Sequence, residues 1–236
     1  MTPPAEFEVP SRRRIYLMRH AAVTYFPSTG RPLPVTEVPL NELGRQQAAA
    51  AGEALSGIPI DRVVTSDLVR CTETARLALG GRPVPIESCA ALREIAPGNF
   101  RELPAEDLQR IIAEAFGTTL TRESRFIAGE TFGSLLDRVL GYLDGLLAEP
   151  DWQQLLVVAH GGVNRVVLTD ALGSGLPGFG HLEQDPACLN IIDIDDRGRR
   201  LVRLVNYTPY NPLKEGPRST TMERLYTEFL EMFAGR

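Results

Sequence analysis

IYLMRHAAV, residues 15–23, runs an apolar, β-prone stretch directly into an arginine and a histidine. The chain has only three histidines in 236 residues, so an imidazole at this place needs a reason. A buried strand gains nothing by ending on a guanidinium and an imidazole. A strand that delivers Arg19 and His20 to the floor of a pocket does.

Read outward from there, the chain alternates strands and helices. Residues 14–19 form the first strand, and a loop rich in Pro, Gly and Thr follows over 22–39. NELGRQQAAAAGEALSG (41–57) is helical in composition. RVVTS (62–66) is a second strand, and the next helix takes Ser66 or Asp67 as its N-cap and stops at Gly80–Gly81. VPIE (84–87) is a third strand, followed by a helical region over about 104–116. The amphipathic helix in GETFGSLLDRVLGYLDGLLAEP is closed by Pro150. LLVVAH (155–160) reads as a buried strand, and GGVNRVVLTDALG as a helix entered through two glycines. A hairpin over 188–205 and a last helix over about 220–233 complete the chain. This order predicts a three-layer α/β/α sandwich with a mostly parallel mixed sheet. Residues 1–11 read as a flexible N-terminal segment and 12–236 as one domain, with about 102–150 as a helical cap insertion.

Composition excludes several classes. Hydrophobic residues make up 43% and charged residues 23%, ordinary for a globular domain, and the net charge of −5 argues against nucleic-acid or anionic-membrane partners. No window of about eighteen apolar residues offers a membrane span. Cys71, Cys89 and Cys188 form no CxxC pair, so neither a thiolate metal site nor a disulfide framework is expected, and the protein reads as cytoplasmic with reduced thiols. Arg12–Arg14 read as a solvated lead into the first strand, and Asp193, Asp195 and Asp196 as solvated acids at a hairpin. His181 reads as a surface-loop residue. Tyr207, Tyr210, Tyr226 and Phe229 are candidates either for a homodimer interface or for packing back on the domain.

Three strand ends carry chemistry: Arg19–His20, Ser66 with Arg70 one turn into its helix, and His160–Gly161–Gly162. If the first and fourth strands are neighbours, two imidazoles and two guanidiniums converge beside the backbone amides of a helix start. That set suits a tetrahedral, doubly charged anion, with phosphate the obvious candidate.

RHAAV after a strand, TSDLVRCTETA, LREIAPGNFRE and VVAHGGVNRVV, in that order, resemble the four segments of the histidine phosphatase superfamily, which includes the cofactor-dependent phosphoglycerate mutases. LNELGRQQA and GETFGSLLDRV resemble two further segments, so the likeness spans about 14–206. The resemblance implies a metal-independent phosphomonoesterase that acts on a small phosphorylated metabolite and needs no cofactor. It implies His20 as the nucleophile that becomes phosphohistidine. Arg19, Arg70, His160 and Gly161 would hold the phosphoryl group. Glu94 would protonate the leaving oxygen, with Glu102 nearby as an alternative. The physics agrees: attack requires neutral imidazole, which adjacent guanidiniums favour, and each charge-assisted hydrogen bond is worth about 1.5–3 kcal/mol.

The sequence departs from the family pattern in places. Ala21, Ala22 and Val23 stand where relatives carry Gly and a polar pair, so the nearby pocket should be more apolar. APGNFRE follows Glu94 and offers Phe100 as the aromatic. The mutase's acid signature and lysine-rich loop are missing, and Lys214 is the only lysine. Arg31, Arg93, Arg101 and Arg165 are the cations left to assist. A phosphoglycerate-type mutase and a phosphate-ligand or protein-binding module that has lost catalysis are the alternatives.

Overall fold

A computed structural model of the protein describes residues 10–25, 34–99, 116–117 and 119–234, with side chains described as far as 228. The elements in chain order are β1 (Arg12–Arg19), α1 (Glu42–Ala54), β2 (Arg62–Ser66), α2 (Val69–Leu79), β3 (Ile86–Cys89), α3 (Phe132–Ala148), β4 (Gln154–Ala159), α4 (Gly161–Ala171), α5 (Gly175–Phe179), β5 (Leu189–Asp195), β6 (Arg200–Tyr207) and α6 (Thr221–Ala234). The six strands form one sheet in the order β3-β2-β4-β1-β5-β6. β1, β2, β3 and β4 run parallel, and β5 and β6 add an antiparallel edge. The mixed α/β sandwich expected from the alternation is the fold observed.

Alternation along β1 explains the layers. Ile15 and Leu17 join a core with Leu135, Val139 and Leu143 of α3 and Val163 and Val166 of α4. Tyr16 and Met18, pointing the other way, join Ala48 and Ala51 of α1 and Ala75 and Ala78 of α2. Each strand residue is almost fully buried, worth about 1.5–3 kcal/mol per large side chain. Of the span read as a cap, residues 132–148 lie against the sheet as α3. The helical region expected over 104–116 falls almost wholly outside the described residues, as does most of the N-terminal segment. No helix among the described residues is long and apolar enough to cross a membrane.

Three local expectations are corrected. Arg12–Arg14 belong to β1; of the three, Arg12 is exposed as expected, while Arg13 and Arg14 are half-buried and bonded. Arg13 lies 4.2 Å from the Trp152 ring centroid and donates to the carbonyls of Leu147 and Glu149, which the end of α3 leaves unpaired. Asp193 is not a solvated turn acid but is 3% exposed, paired with Arg14 at 2.6 Å and Arg203 at 2.8 Å. Those guanidiniums hold its carboxyl below the usual carboxylate range against the opposing effect of burial. Finally, α2 starts later than Ser66 or Asp67 would set it. Its N-cap is Leu68, with no side-chain cap, because Ser66 and Asp67 bond elsewhere.

Trp152 links α3 to the sheet: it is 1% exposed and its Nε1–H donates to the Leu146 carbonyl at 2.8 Å. Trp152→Ala should therefore cost about 3–5 kcal/mol of stability, read from urea unfolding. A loss below about 1 kcal/mol would contradict this packing.

Candidate active site

β1 and β4 are paired in parallel with Arg19 opposite Ala159. His20 and His160 therefore leave adjacent strand ends at one level, with ring centroids 5.1 Å apart at an interplanar angle of 64°. Both are buried, as are Arg19 and, from the first turn of α2, Arg70. The convergence expected of a neighbouring first and fourth strand is present.

Hydrogen bonds assign both tautomers. His20 Nδ1 lies 2.8 Å from the Ala21 carbonyl, and a carbonyl only accepts, so Nδ1 carries the proton and Nε2 keeps its lone pair. His160 Nδ1 faces a guanidinium donor, Arg70 Nη2, at 3.4 Å, while its Nε2–H donates to Ser66 Oγ at 2.9 Å. That bond occupies the serine expected to cap α2. Burial, then the charges of Arg70 and Arg19, holds His20 well below its ordinary pKa despite the Ala21 hydrogen bond. Burial and Arg70 do the same to His160. Both rings are neutral.

The guanidiniums are held by part of their forks. Arg70 Nη1 donates to the Val35 carbonyl at 2.6 Å. Arg19 Nη1 donates to the Gln184 carbonyl and, at 3.1 Å, to Thr221 Oγ1. Among the described residues, the Nε–H of each arginine is buried without a partner. A buried, charged donor left unpaired costs more than the roughly 1–3 kcal/mol of a neutral one, so the two point to a missing anionic partner.

The glycines that open α4 complete this cradle. A Cβ on Gly161 would sit 3.2 Å from Arg165 Nη1, 3.7 Å from Arg19 Nε and 3.8 Å from Glu94 Oε2. Two guanidiniums and a carboxyl group thus converge over Gly161, at a helix N-terminus suited to anions. Gly162 donates its backbone N–H to both carboxylate oxygens of Glu94 at 3.1 Å. A Cβ there would lie 2.4 Å from Glu94 Oε1, so glycine is what lets the carboxylate reach the helix end. Arg138 of α3 fixes the segment carrying Glu94, donating to the carbonyls of Ala91 and Arg93 at 2.7 Å and pairing with Glu130.

Arg19, His20, Arg70, Glu94, His160 and Gly161 come together as expected, joined by Arg165 among the assisting cations. Arg93 is turned away, in an exposed pair with Asp67, and His181 is exposed as expected. Arg31, Phe100, Arg101 and Glu102 lie outside the described residues. Alanine at 21 carries no positive φ. Its side chain is buried, its N–H donates to Thr74 Oγ1 at 3.1 Å, and the Ala22 N–H donates to Gln47. The loss of glycine is absorbed without strain.

Sequence reasoning missed several contributors. Glu183 accepts from Arg165 and from Thr221 of α6, and Gln184 holds Arg19; both sit in GFGHLEQD (178–185), of which sequence alone singles out only His181. Tyr25, its ring centroid 5.9 Å from the Arg70 guanidinium, lay in an unpatterned loop. With His20, Tyr25 lines a cavity of about 390 Å³ that the C-terminal segment walls on its other side. Among the described residues, no group of three or more His, Cys, Asp and Glu is placed to hold a metal ion.

Comparison with known proteins places this geometry. The model of the histidine phosphatase superfamily, branch 1, matches residues 15–207. The adenosylcobalamin/α-ribazole phosphatase of Salmonella typhimurium is 32% identical over 187 residues, covering 77% of this chain and 90% of that protein. The crystal structure of the α-ribazole phosphatase of Shigella flexneri is 27% identical with a TM-score of 0.66, covering 82% of this chain and 96% of that one. YhfR of Bacillus stearothermophilus is 25% identical with a TM-score of 0.67, covering 81% and 95%.

The neutral histidines predict a pH dependence. In the unfolded chain they protonate below about pH 6.5, whereas the fold keeps them neutral further down. The unfolded state then binds more protons, so stability is lost as pH falls below about 6.5. Removing one of them in His160→Gln should make the slope of unfolding free energy against pH shallower by up to about 1.4 kcal/mol per unit in that range. Urea unfolding at successive pH values checks this, and identical slopes for variant and wild type would contradict it.

Proposed function

The chain belongs to the histidine phosphatase superfamily, and on that premise we propose that it hydrolyses a small phosphorylated metabolite through phosphohistidine on His20. The observation that carries the reading is the pair of buried, unpartnered Nε–H groups of Arg19 and Arg70 beside a neutral His20. Those donors call for phosphoryl oxygens, and the imidazole supplies a lone pair. We take residues 12–236 as a single domain.

In the first step the Nε2 lone pair of His20 attacks phosphorus, and the bond from phosphorus to the ester oxygen breaks. Protonated Glu94 gives its proton to that oxygen, which leaves as an alcohol. In the second step Glu94, now a carboxylate, takes a proton from water as the water oxygen attacks phosphorus. The P–N bond breaks, its electrons return to Nε2, and inorganic phosphate leaves. Arg19, Arg70 and the amide of Gly161 hold the equatorial oxygens, where charge sits through both transfers, and His160, donating Nε2–H to Ser66 and facing Arg70 Nη2 with Nδ1, positions that guanidinium. Arg165, close to Arg19 Nε over Gly161, adds a third cation at the cradle's edge. Glu94 is placed by the amides of Gly162 and of Ile95, the latter donating to Oε1 at 3.0 Å, and by the Arg138 clamp, as a group that must donate and then accept at one position requires.

Wild-type protein should release phosphate from small phosphate monoesters with EDTA present, and His20→Ala should release none while keeping its unfolding transition. Persistent release from the variant would remove His20 from the mechanism. In Gly162→Ala the new Cβ displaces Glu94, so kcat should fall about 10²–10⁴-fold, matching Glu94→Gln in steady-state assays. A Gly162→Ala enzyme of wild-type kcat would show that the Glu94 position is not needed.

A further inference from the structure

Three consecutive residues, Leu182, Glu183 and Gln184, hold two guanidiniums from behind. The Leu182 carbonyl accepts from Arg165 Nε and the Gln184 carbonyl from Arg19 Nη1, while Glu183 Oε2 accepts from Arg165 Nη2 at 3.2 Å. The segment is itself fastened to β5. The side-chain amides of Gln184 and Asn190 exchange two hydrogen bonds, at 3.0 and 2.8 Å, and Gln184 is fully buried. The Phe116 ring, its centroid 4.8 Å from the Arg165 guanidinium, packs against that group as well.

The other oxygen of Glu183 reaches α6. Oε1 accepts from the Thr221 hydroxyl at 2.6 Å. That hydroxyl oxygen accepts in turn from Arg19 Nη1 at 3.1 Å and from Arg224 Nη2 at 3.3 Å. Its one hydrogen and both lone pairs are committed, so its direction is fixed. Arg165, Glu183, Thr221 and Arg19 thus form a strap behind the cradle. In front, Arg165 Nη1 and Arg19 Nε stand 3.2 and 3.7 Å from one point, the Cβ position that Gly161 leaves empty. Among the described residues, Arg19 Nε has no partner. A single anionic oxygen lying against Gly161 can accept from both guanidiniums.

Resting on the phosphatase reading, we propose that Glu183 is a positioning residue: through Arg165 and Thr221 it fixes the spacing at which Arg165 and Arg19 close on one phosphoryl oxygen over Gly161. The start of α6 is then part of the working site, although Thr221 itself touches no substrate. A misplacement of about 1 Å costs about 10²-fold in rate, and four side chains bonded end to end leave little slack.

The test uses the full chain, with p-nitrophenyl phosphate as substrate and orthovanadate as the probe of the phosphoryl site. Thr221→Val keeps the side-chain shape and breaks the strap. Its kcat/KM and its affinity for orthovanadate should each fall about tenfold or more, with the urea transition retained. Thr221→Ser, which keeps the hydroxyl, should bring both close to wild type. Arg165→Met and Glu183→Gln should each weaken orthovanadate about tenfold, and the double variant should lose less than the product of the two. Wild-type kinetics in Thr221→Val, equal losses in Thr221→Val and Thr221→Ser, or losses from Arg165→Met and Glu183→Gln that multiply independently overturn the inference while the phosphatase stands. A folded wild-type protein that releases phosphate from no ester overturns the phosphatase reading itself.

Discussion

Two guanidiniums buried beside two neutral imidazoles are the constraint on which this site depends. Among the described residues, neither Arg19 nor Arg70 has a carboxylate among its hydrogen bonds; carbonyls, a hydroxyl and an imidazole share the forks instead. Such partners orient a guanidinium without neutralising its charge. The uncompensated charge acts on His20 and His160, strengthens the effect of burial, and keeps both rings unprotonated. It also leaves two donors unpaired. The same arrangement that costs folding energy therefore prepares a nucleophile and a receptor for its electrophile.

The fold meets this constraint by bringing distant segments together. The in-register pairing of β1 with β4 sets the two histidines side by side. The loop before β5 holds Arg19 through Gln184 and Arg165 through Glu183, and Thr221 ties the start of α6 to both Arg19 and Glu183. The C-terminal segment is thus bonded to the group that grips phosphate. A change in how that segment packs would reach the reacting centre through one hydroxyl.

Much of this was legible in the sequence, for a physical reason. His20, Arg70 and His160 stand at strand ends or in the first turn after them, where a parallel sheet places its chemistry, and strands are readable from apolar runs. The paired glycines after His160 read from sequence only as the entry to a helix; what they permit is the close approach of Glu94 to the helix end. What escaped reading depends on contacts across long separations. Glu183 meets Thr221 38 residues away, and Gln184 meets Arg19 across 165; neither has a local pattern. Asp193 misled because hairpin acids are usually solvated, yet β5 lies between β1 and β6, which brings Arg14 and Arg203 onto it. Ser66 misled because its hydroxyl accepts from His160 and, at 3.4 Å, from the Leu68 N–H, ahead of a helix that begins only at Val69.

The central claim is that His20 is a neutral imidazole with its proton on Nδ1, held so by burial and its guanidinium neighbours. Nitrogen-15 NMR of protein labelled in histidine, assigned by comparison with His20→Gln, measures that directly at pH 7. The account predicts a neutral ring with a protonated Nδ1 and a bare Nε2, unchanged as the pH is lowered through 6.5. Imidazolium shifts for His20 at pH 7, or a proton resident on Nε2, would contradict it.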